Sequence, residues 1–145
     1  MIKEKIKEEQ MEVLYSYGME NCKLEHLVQV TYESGEFLCM EGYDMKYLLV
    51  LLDGKAKVSI TTADGKVLLL CFYMSGGIFG DVELMMDTPE TKSNVQAVTQ
   101  VTCIGIPLDT NKERLRKDLK FMNYVAGSLA RKLDRCSKNS AFTIL

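Results

Sequence analysis

A chain of 145 residues, 47% hydrophobic and 26% charged, has the size of one globular domain and enough apolar side chains for a core. Its net charge of −2 argues against a whole-molecule electrostatic grip on nucleic acid. The longest apolar stretches, 48–52 and 67–74, are too short for a membrane span, and the opening MIKEKIKEEQ lacks the apolar region of a secretory signal. The expected compartment is the cytoplasm, with no membrane partner.

The charge is unevenly placed. Residues 1–110 hold 9 Lys against 17 Asp and Glu, a net −8, whereas residues 111–145 hold 9 Lys and Arg against 3 acids, a net +6. An acidic body with a basic C-terminal arm predicts either contact between the two or an arm that leads toward a polyanion.

Residues 1–27 are predicted as an N-terminal helical segment. Ile2, Ile6, Met11, Val13 and Leu14 recur at roughly helical spacing, and Gly18 supplies a stop; a short helical or extended piece follows through Leu24 and Leu27. Over residues 28–108 the pattern changes to short apolar or alternating runs broken by Ser34-Gly35, Glu41-Gly42, Asp53-Gly54, Asp64-Gly65 and Gly76-Gly77. The last three pairs fall 11 and 12 residues apart, the spacing of short antiparallel strands in a sandwich or barrel. Residues 55–61 alternate with Ala56, Val58 and Ile60 inward, and Asp64-Gly65 suits a tight hairpin turn. This segment reads as a β-roll, or jelly roll.

Residues 109–145 read as one long helix with Asp109 or Thr110 as its N-cap. Met122, Val125, Leu129, Leu133 and Cys136 form a narrow seam of the kind that pairs a helix with its own copy; packing of the stripe on the β-roll is the alternative. The apolar last residues, Ala141 to Leu145, lead to the expectation that the sequence is cut from a longer protein.

Catalytic and metal-binding constellations are sparse. Cys22, Cys39, Cys71, Cys103 and Cys136 show no CxxC or zinc-ligand spacing, and an odd count suits free thiols in a reducing compartment. His26 is the sole histidine, and Cys22 with His26 makes only half a metal site, so no metal is expected. There is no Gly-x-Ser-x-Gly elbow, P-loop or dinucleotide fingerprint. The chain reads as a non-enzyme. A thiol switch at Cys22, Cys39 or Cys136 depends on exposure.

Several segments, in this order, carry a resemblance: Tyr32-Glu33-Ser34-Gly35-Glu36, Glu41-Gly42, a Leu-rich strand into Asp53-Gly54-Lys55, and the Asp64-Gly65 hairpin. Gly76-Gly77-Ile78-Phe79-Gly80-Asp81-Val82-Glu83-Leu84 and a helix with Leu129-Ala130-Arg131-Lys132-Leu133 follow. Together they resemble the effector domain of the catabolite-activator and fumarate/nitrate-regulator (CRP/FNR) family of bacterial transcription factors. The resemblance covers essentially the whole chain. It implies a mainly β fold with flanking helices, a double-stranded β-helix of the cyclic-nucleotide-binding type, followed by a long dimerisation helix.

The resemblance also implies a phosphate cassette, Phe-Gly-Glu-(Leu/Ile)-(Ala/Gly)-Leu and then Arg-(Ser/Thr)-Ala. In nucleotide binders of this fold its backbone N–H groups meet the cyclic phosphate, the Glu accepts from a ribose hydroxyl and the Arg forks the phosphate. The matching residues are Phe79, Gly80, Asp81, Val82, Glu83 and Leu84, then Thr91 and Lys92, with Cys136 and Ser137 at the nucleobase positions of the long helix. Three depart from the pattern. Asp81 is one methylene shorter than Glu, Glu83 puts bulk and negative charge where a small residue is usual, and Thr91 replaces the Arg.

A like charge at about 4 Å costs about 4 kcal/mol at an effective dielectric near 20, and losing a bidentate Arg removes about 1.5–3 kcal/mol. Cyclic AMP and cyclic GMP are therefore not expected ligands. No cofactor is expected; an effector would be an unidentified small molecule. If the cassette is only structural, Phe79, Val82 and Leu84 are core and the acids face solvent. An iron–sulfur centre is not supported, because only Cys22 and Cys39 lie near the N-terminus.

The leading expectation is the sensor and dimerisation domain of a bacterial transcription regulator. It forms a homodimer through the long helix, and DNA is read by a helix-turn-helix expected beyond residue 145. The alternative is a genuine cyclic-nucleotide- or other small-ligand-binding module of a regulatory protein outside transcription.

Overall fold

The computed structural model describes residues 1–20, 23–73 and 76–138; the side chains at 70–73 and 135–138 fall outside that description. The elements run β1 (Ile2–Lys5), α1 (Glu8–Ser16), β2 (Val28–Tyr32), β3 (Phe37–Cys39), β4 (Tyr47–Asp53), β5 (Ala56–Thr61) and β6 (Val67–Tyr73). They continue through β7 (Ile78–Phe79), α2 (Asp81–Met86), β8 (Asn94–Ala97), β9 (Val101–Pro107), α3 (Leu108–Lys117) and α4 (Leu119–Lys138). Two sheets form the roll, one ordered β1-β2-β9-β4-β7 and the other β3-β8-β5-β6, and their pairings are antiparallel.

The apolar runs of β4 and β9 follow from their central position. Leu49, Leu51 and Cys103 point between the sheets, where they meet Val30, Tyr32, Ala56, Phe79 and Val95. Leu48, Val50, Ile104 and Ile106 point the other way and are covered by Leu14 of α1, Leu115 of α3 and Phe121 of α4. A strand buried on both faces reads as continuous hydrophobicity, not alternation. Each such side chain contributes about 1.5–3 kcal/mol when fully removed from water. β5 has one solvated side, so its alternation is plain, with Ala56 and Val58 buried and Ile60 half-buried.

Three boundaries differ from the sequence reading. The N-terminal segment is not all helix: Ile2–Lys5 is a strand that pairs with β2, Ile2 opposite Thr31 and Lys5 opposite Val28. The helix begins only at Glu8, where the Gln10 side chain accepts the Lys7 N–H (2.9 Å) and donates to Gln29 of β2 (2.6 Å). The β5–β6 connection is a five-residue loop, 62–66, closed by Thr62 N–H to Lys66 O (2.8 Å), with the positive φ at Gly65.

The long helix from 109 is two helices. α3 starts at Leu108 after Pro107, without a side-chain cap, and Asp109 lies in its first turn. Asp118 is extended, and its Oδ1 accepts the Phe121 N–H (2.9 Å) to start α4 afresh. That capping role explains a break without glycine or proline.

The basic arm folds back on the acidic body. Ion pairs join Lys112 to Asp87 (2.6 Å), Arg114 to Glu25 (3.0 Å), Lys120 to Glu20 (3.1 Å) and Lys132 to Asp81 (3.9 Å). Arg116 donates to the Leu84 carbonyl. Of the two outcomes that the charge split predicts, contact is the one present.

Candidate functional site

The cassette is a short helix fixed at both ends. β7 leads into Gly80, whose φ of +101° is left-handed and whose missing Cβ would lie 2.6 Å from Met45 Sδ, so only glycine fits this corner. α2 then carries Asp81, Val82, Glu83 and Leu84. Leu84 is buried in the core beneath α3 and α4, and Phe79 is buried inside the roll. The far end of α2 is held by the Lys112–Asp87 pair and by Arg116 on the Leu84 carbonyl.

The acids do not face solvent, and Val82 does. Val82 is 37% exposed, whereas Asp81 and Glu83 are 7% and 6% exposed. Asp81 points toward α4 and Lys132. Burial pushes its carboxyl above the ordinary carboxylate range, against the opposing pull of the Lys132 charge. Glu83 points into the roll, where its Oε2 accepts the backbone N–H of Lys92 (2.8 Å). The two carboxylates, two residues apart, therefore serve different neighbours.

Thr91 stands where the resemblance places an arginine, and it is fully engaged. Its hydroxyl donates to the carbonyls of Met40 and Tyr43, its N–H donates to Tyr43 O (2.9 Å), and its carbonyl accepts from Gly42 (2.9 Å). Met45 N–H to Pro89 O (2.8 Å) extends the same stitching. Lys92 turns its side chain outward, so it presents its main chain to the cassette and not its ammonium. At positions 91 and 92 a neutral hydroxyl and a main-chain N–H face the protein, and the Lys92 side chain is exposed.

The Cys39 and Cys103 thiols are held in their protonated form. Burial, reinforced by the charge of Glu83, pushes the Cys39 thiol up to about 12, and burial with Cys39 as neighbour pushes Cys103 up to about 12. A thiol held that high is not a nucleophile at neutral pH. Cys22 lies outside the described residues, as do the side chains of Cys71, Cys136 and Ser137. Among the described residues no group of three His, Cys, Asp or Glu is placed to hold a metal ion, and no helix is long and apolar enough to cross a membrane.

The residues of the predicted α4 seam lie in different surroundings. Val125 is 1% exposed within the protomer, and Met122 and Leu129 pack partly buried on the same core, so these residues cover the body. Leu133, by contrast, is 58% exposed. The exposed residues of α4 over 119–134 are Leu119, Lys120, Asn123, Ala126, Ala130, Arg131, Leu133 and Asp134, and among them Leu119, Asn123, Ala126, Ala130 and Leu133 form a stripe with steps of four, three, four and three. Sequence reasoning followed the largest apolar residues and missed this stripe, although its heptad step was visible; alanine and asparagine give it little hydrophobic signal. It also missed Asn111, which is buried and ties residues 25 and 107 together: Nδ2 donates to the Glu25 and Pro107 carbonyls and Oδ1 accepts the Glu25 N–H.

Comparison with known proteins gives a consistent result. Regulatory protein YeiL of Escherichia coli O157:H7 is 27% identical over 97 residues, 67% of this chain and 44% of that protein. The CRP-like cAMP-activated global transcriptional regulator of Mycobacterium tuberculosis is 24% identical over 115 residues, 79% of this chain and 51% of that one. The chain thus spans about half the length of the curated relatives it matches. The sensor domain of the transcriptional regulator DNR from Pseudomonas aeruginosa has the same fold, with a TM-score of 0.69 at 16% identity, covering 94% of this chain and 97% of that domain. All three are regulatory proteins rather than enzymes. Residues 29–118, from β2 through α3, match the cyclic nucleotide-binding domain model, and the chain belongs to that family.

Proposed function

We propose that this chain is the sensor and dimerisation domain of a bacterial transcription regulator whose cassette does not take cyclic AMP or cyclic GMP. The observation that carries the reading is Thr91. The residue at the phosphate-forking position is uncharged, 5% exposed, and already bonded through its hydroxyl, N–H and carbonyl to the 40–43 loop. Lys92 supplies no substitute, because a point charge on an outward side chain is not a planar fork. Two copies associate through the exposed stripe of α4, and DNA is read by a helix-turn-helix beyond residue 145. A signal reaching α2 re-angles α4 through Lys132 and Asp81, which shifts the spacing of the two recognition helices between successive major grooves.

Isothermal titration of the chain with cyclic AMP and cyclic GMP tests this reading. The expected result is no heat of binding up to about 1 mM, the weak end of the affinity scale. A low-micromolar isotherm from either nucleotide overturns it and makes the chain a nucleotide-sensing module.

A further inference from the structure

Glu83 is the least expected residue in the cassette. A carboxylate that is 6% exposed has lost its water and needs a built partner. Its partner is a main-chain donor, the Lys92 N–H, at 2.8 Å. That donor is aimed independently of Glu83: the adjoining Thr91 is stitched to Met40, Gly42 and Tyr43 through four hydrogen bonds. The acceptor is fixed as well, because the Gly80 corner against Met45 sets where α2 begins. The effect of the Glu83 charge on the Cys39 thiol agrees with a side chain aimed inside the roll.

We propose that the Glu83 carboxylate is an internal ligand of the cassette: it occupies the place of an external oxyanion at the Lys92 N–H and thereby keeps phosphate groups out. The inference rests on reading α2 and the 87–92 loop as the ligand cassette, as above. It makes Glu83 a specificity-determining residue. Removing it leaves a preformed, part-buried donor without a partner, a group that recruits a new acceptor.

The test compares thermal unfolding of the parent chain and E83A in about 10 mM potassium phosphate and in potassium chloride of equal ionic strength, and again with about 1 mM cyclic AMP. Phosphate is expected to raise the E83A midpoint by about 2–4 °C over chloride and the parent by less than about 1 °C. A cyclic AMP shift alone in E83A also supports the proposal and identifies the nucleotide as the preferred source of the oxyanion. Equal responses of parent and folded E83A overturn it. If E83A does not fold by circular dichroism, E83S, which keeps a small polar group, is judged by the same criterion. Should neither fold, hydrogen exchange on the parent decides. A Lys92 amide protected and indifferent to phosphate supports the proposal, and a fast-exchanging or phosphate-responsive one overturns it. A parent that binds cyclic AMP tightly defeats the functional reading above, whereas a silent parent with silent variants defeats only this inference.

Discussion

Along α4 the face turned to the body carries Phe121, Val125 and Lys132, and the face turned away carries Leu119, Asn123, Ala126, Ala130 and Leu133. The inward face is apolar and nearly waterless, with a cation at its far end. The outward stripe has small or apolar side chains at four of its five positions, with exposed leucines at 119 and 133, and Lys120, Arg131 and Asp134 are exposed beside it. An inward face of this kind makes the helix part of the domain; an outward one of small residues lets a second helix approach closely. The same helix therefore touches the cassette on one side and presents the proposed seam on the other, so a shift of α2 has a direct route to that seam.

The largest expected effect attacks the inward face. F121A empties a fully buried site and is expected to cost about 3–5 kcal/mol, read as a lower urea midpoint with unchanged m-value. If the two faces are independent, self-association per folded protomer stays as in the parent. L133D attacks the outward face. Sedimentation equilibrium is expected to show at least about a tenfold weaker dimer, while protomer stability changes by no more than about 0.5 kcal/mol. An L133D protein that unfolds, or an unchanged dimer, erases the distinction between the faces.

Asp81 sharpens the comparison at the polar end of the inward face. Its folded-state pKa is raised, with burial as the leading cause, so the folded chain holds this proton more tightly than the unfolded chain does. The stability it contributes is present below the ordinary carboxylate range and is lost as pH rises through the raised value. D81N, neutral throughout, is therefore expected to raise the melting temperature near pH 7 by a few degrees, on the order of 1 kcal/mol, with the gain vanishing near pH 4. A D81N that is destabilised at both pH values shows that the Lys132 pair outweighs desolvation. The smallest effect belongs to the exposed pair at the other end of α2. Lys112 holds the Asp87 carboxyl below its usual range, and K112A is expected to let its titration midpoint rise, seen by NMR, with little change in unfolding.

How much of this was legible in the sequence depended on where the determining contact lay. The roll was readable because its turns are local: Asp53-Gly54 and Asp64-Gly65 mark chain reversals by residue type alone, and the alternation of β5 needs one wet face. β1 was not readable, since four exposed residues, Ile2–Lys5, alternate too briefly to distinguish a strand from a helix start. The orientation of Asp81 and Glu83 was hidden for another reason. Acids in sequence suggest solvent, and only distant partners, Lys132 on another helix and the Lys92 main chain beyond a loop, turn them inward. Within the predicted seam, hydrophobicity identified residues that are buried inside the protomer, Val125 above all, together with the exposed Leu133, because it does not separate a face that packs on the body from one left bare.

The capped corner at Asp118 has a mechanical meaning. Because α4 starts anew there, its orientation is not inherited from α3, which is seated on the body through Leu115, but is set by its own packing through Phe121 and Val125. Lys132 sits 13 residues beyond Leu119, roughly 20 Å along the axis, so the Asp81 contact meets α4 far from the corner at which the helix starts and beyond its buried anchors Phe121 and Val125.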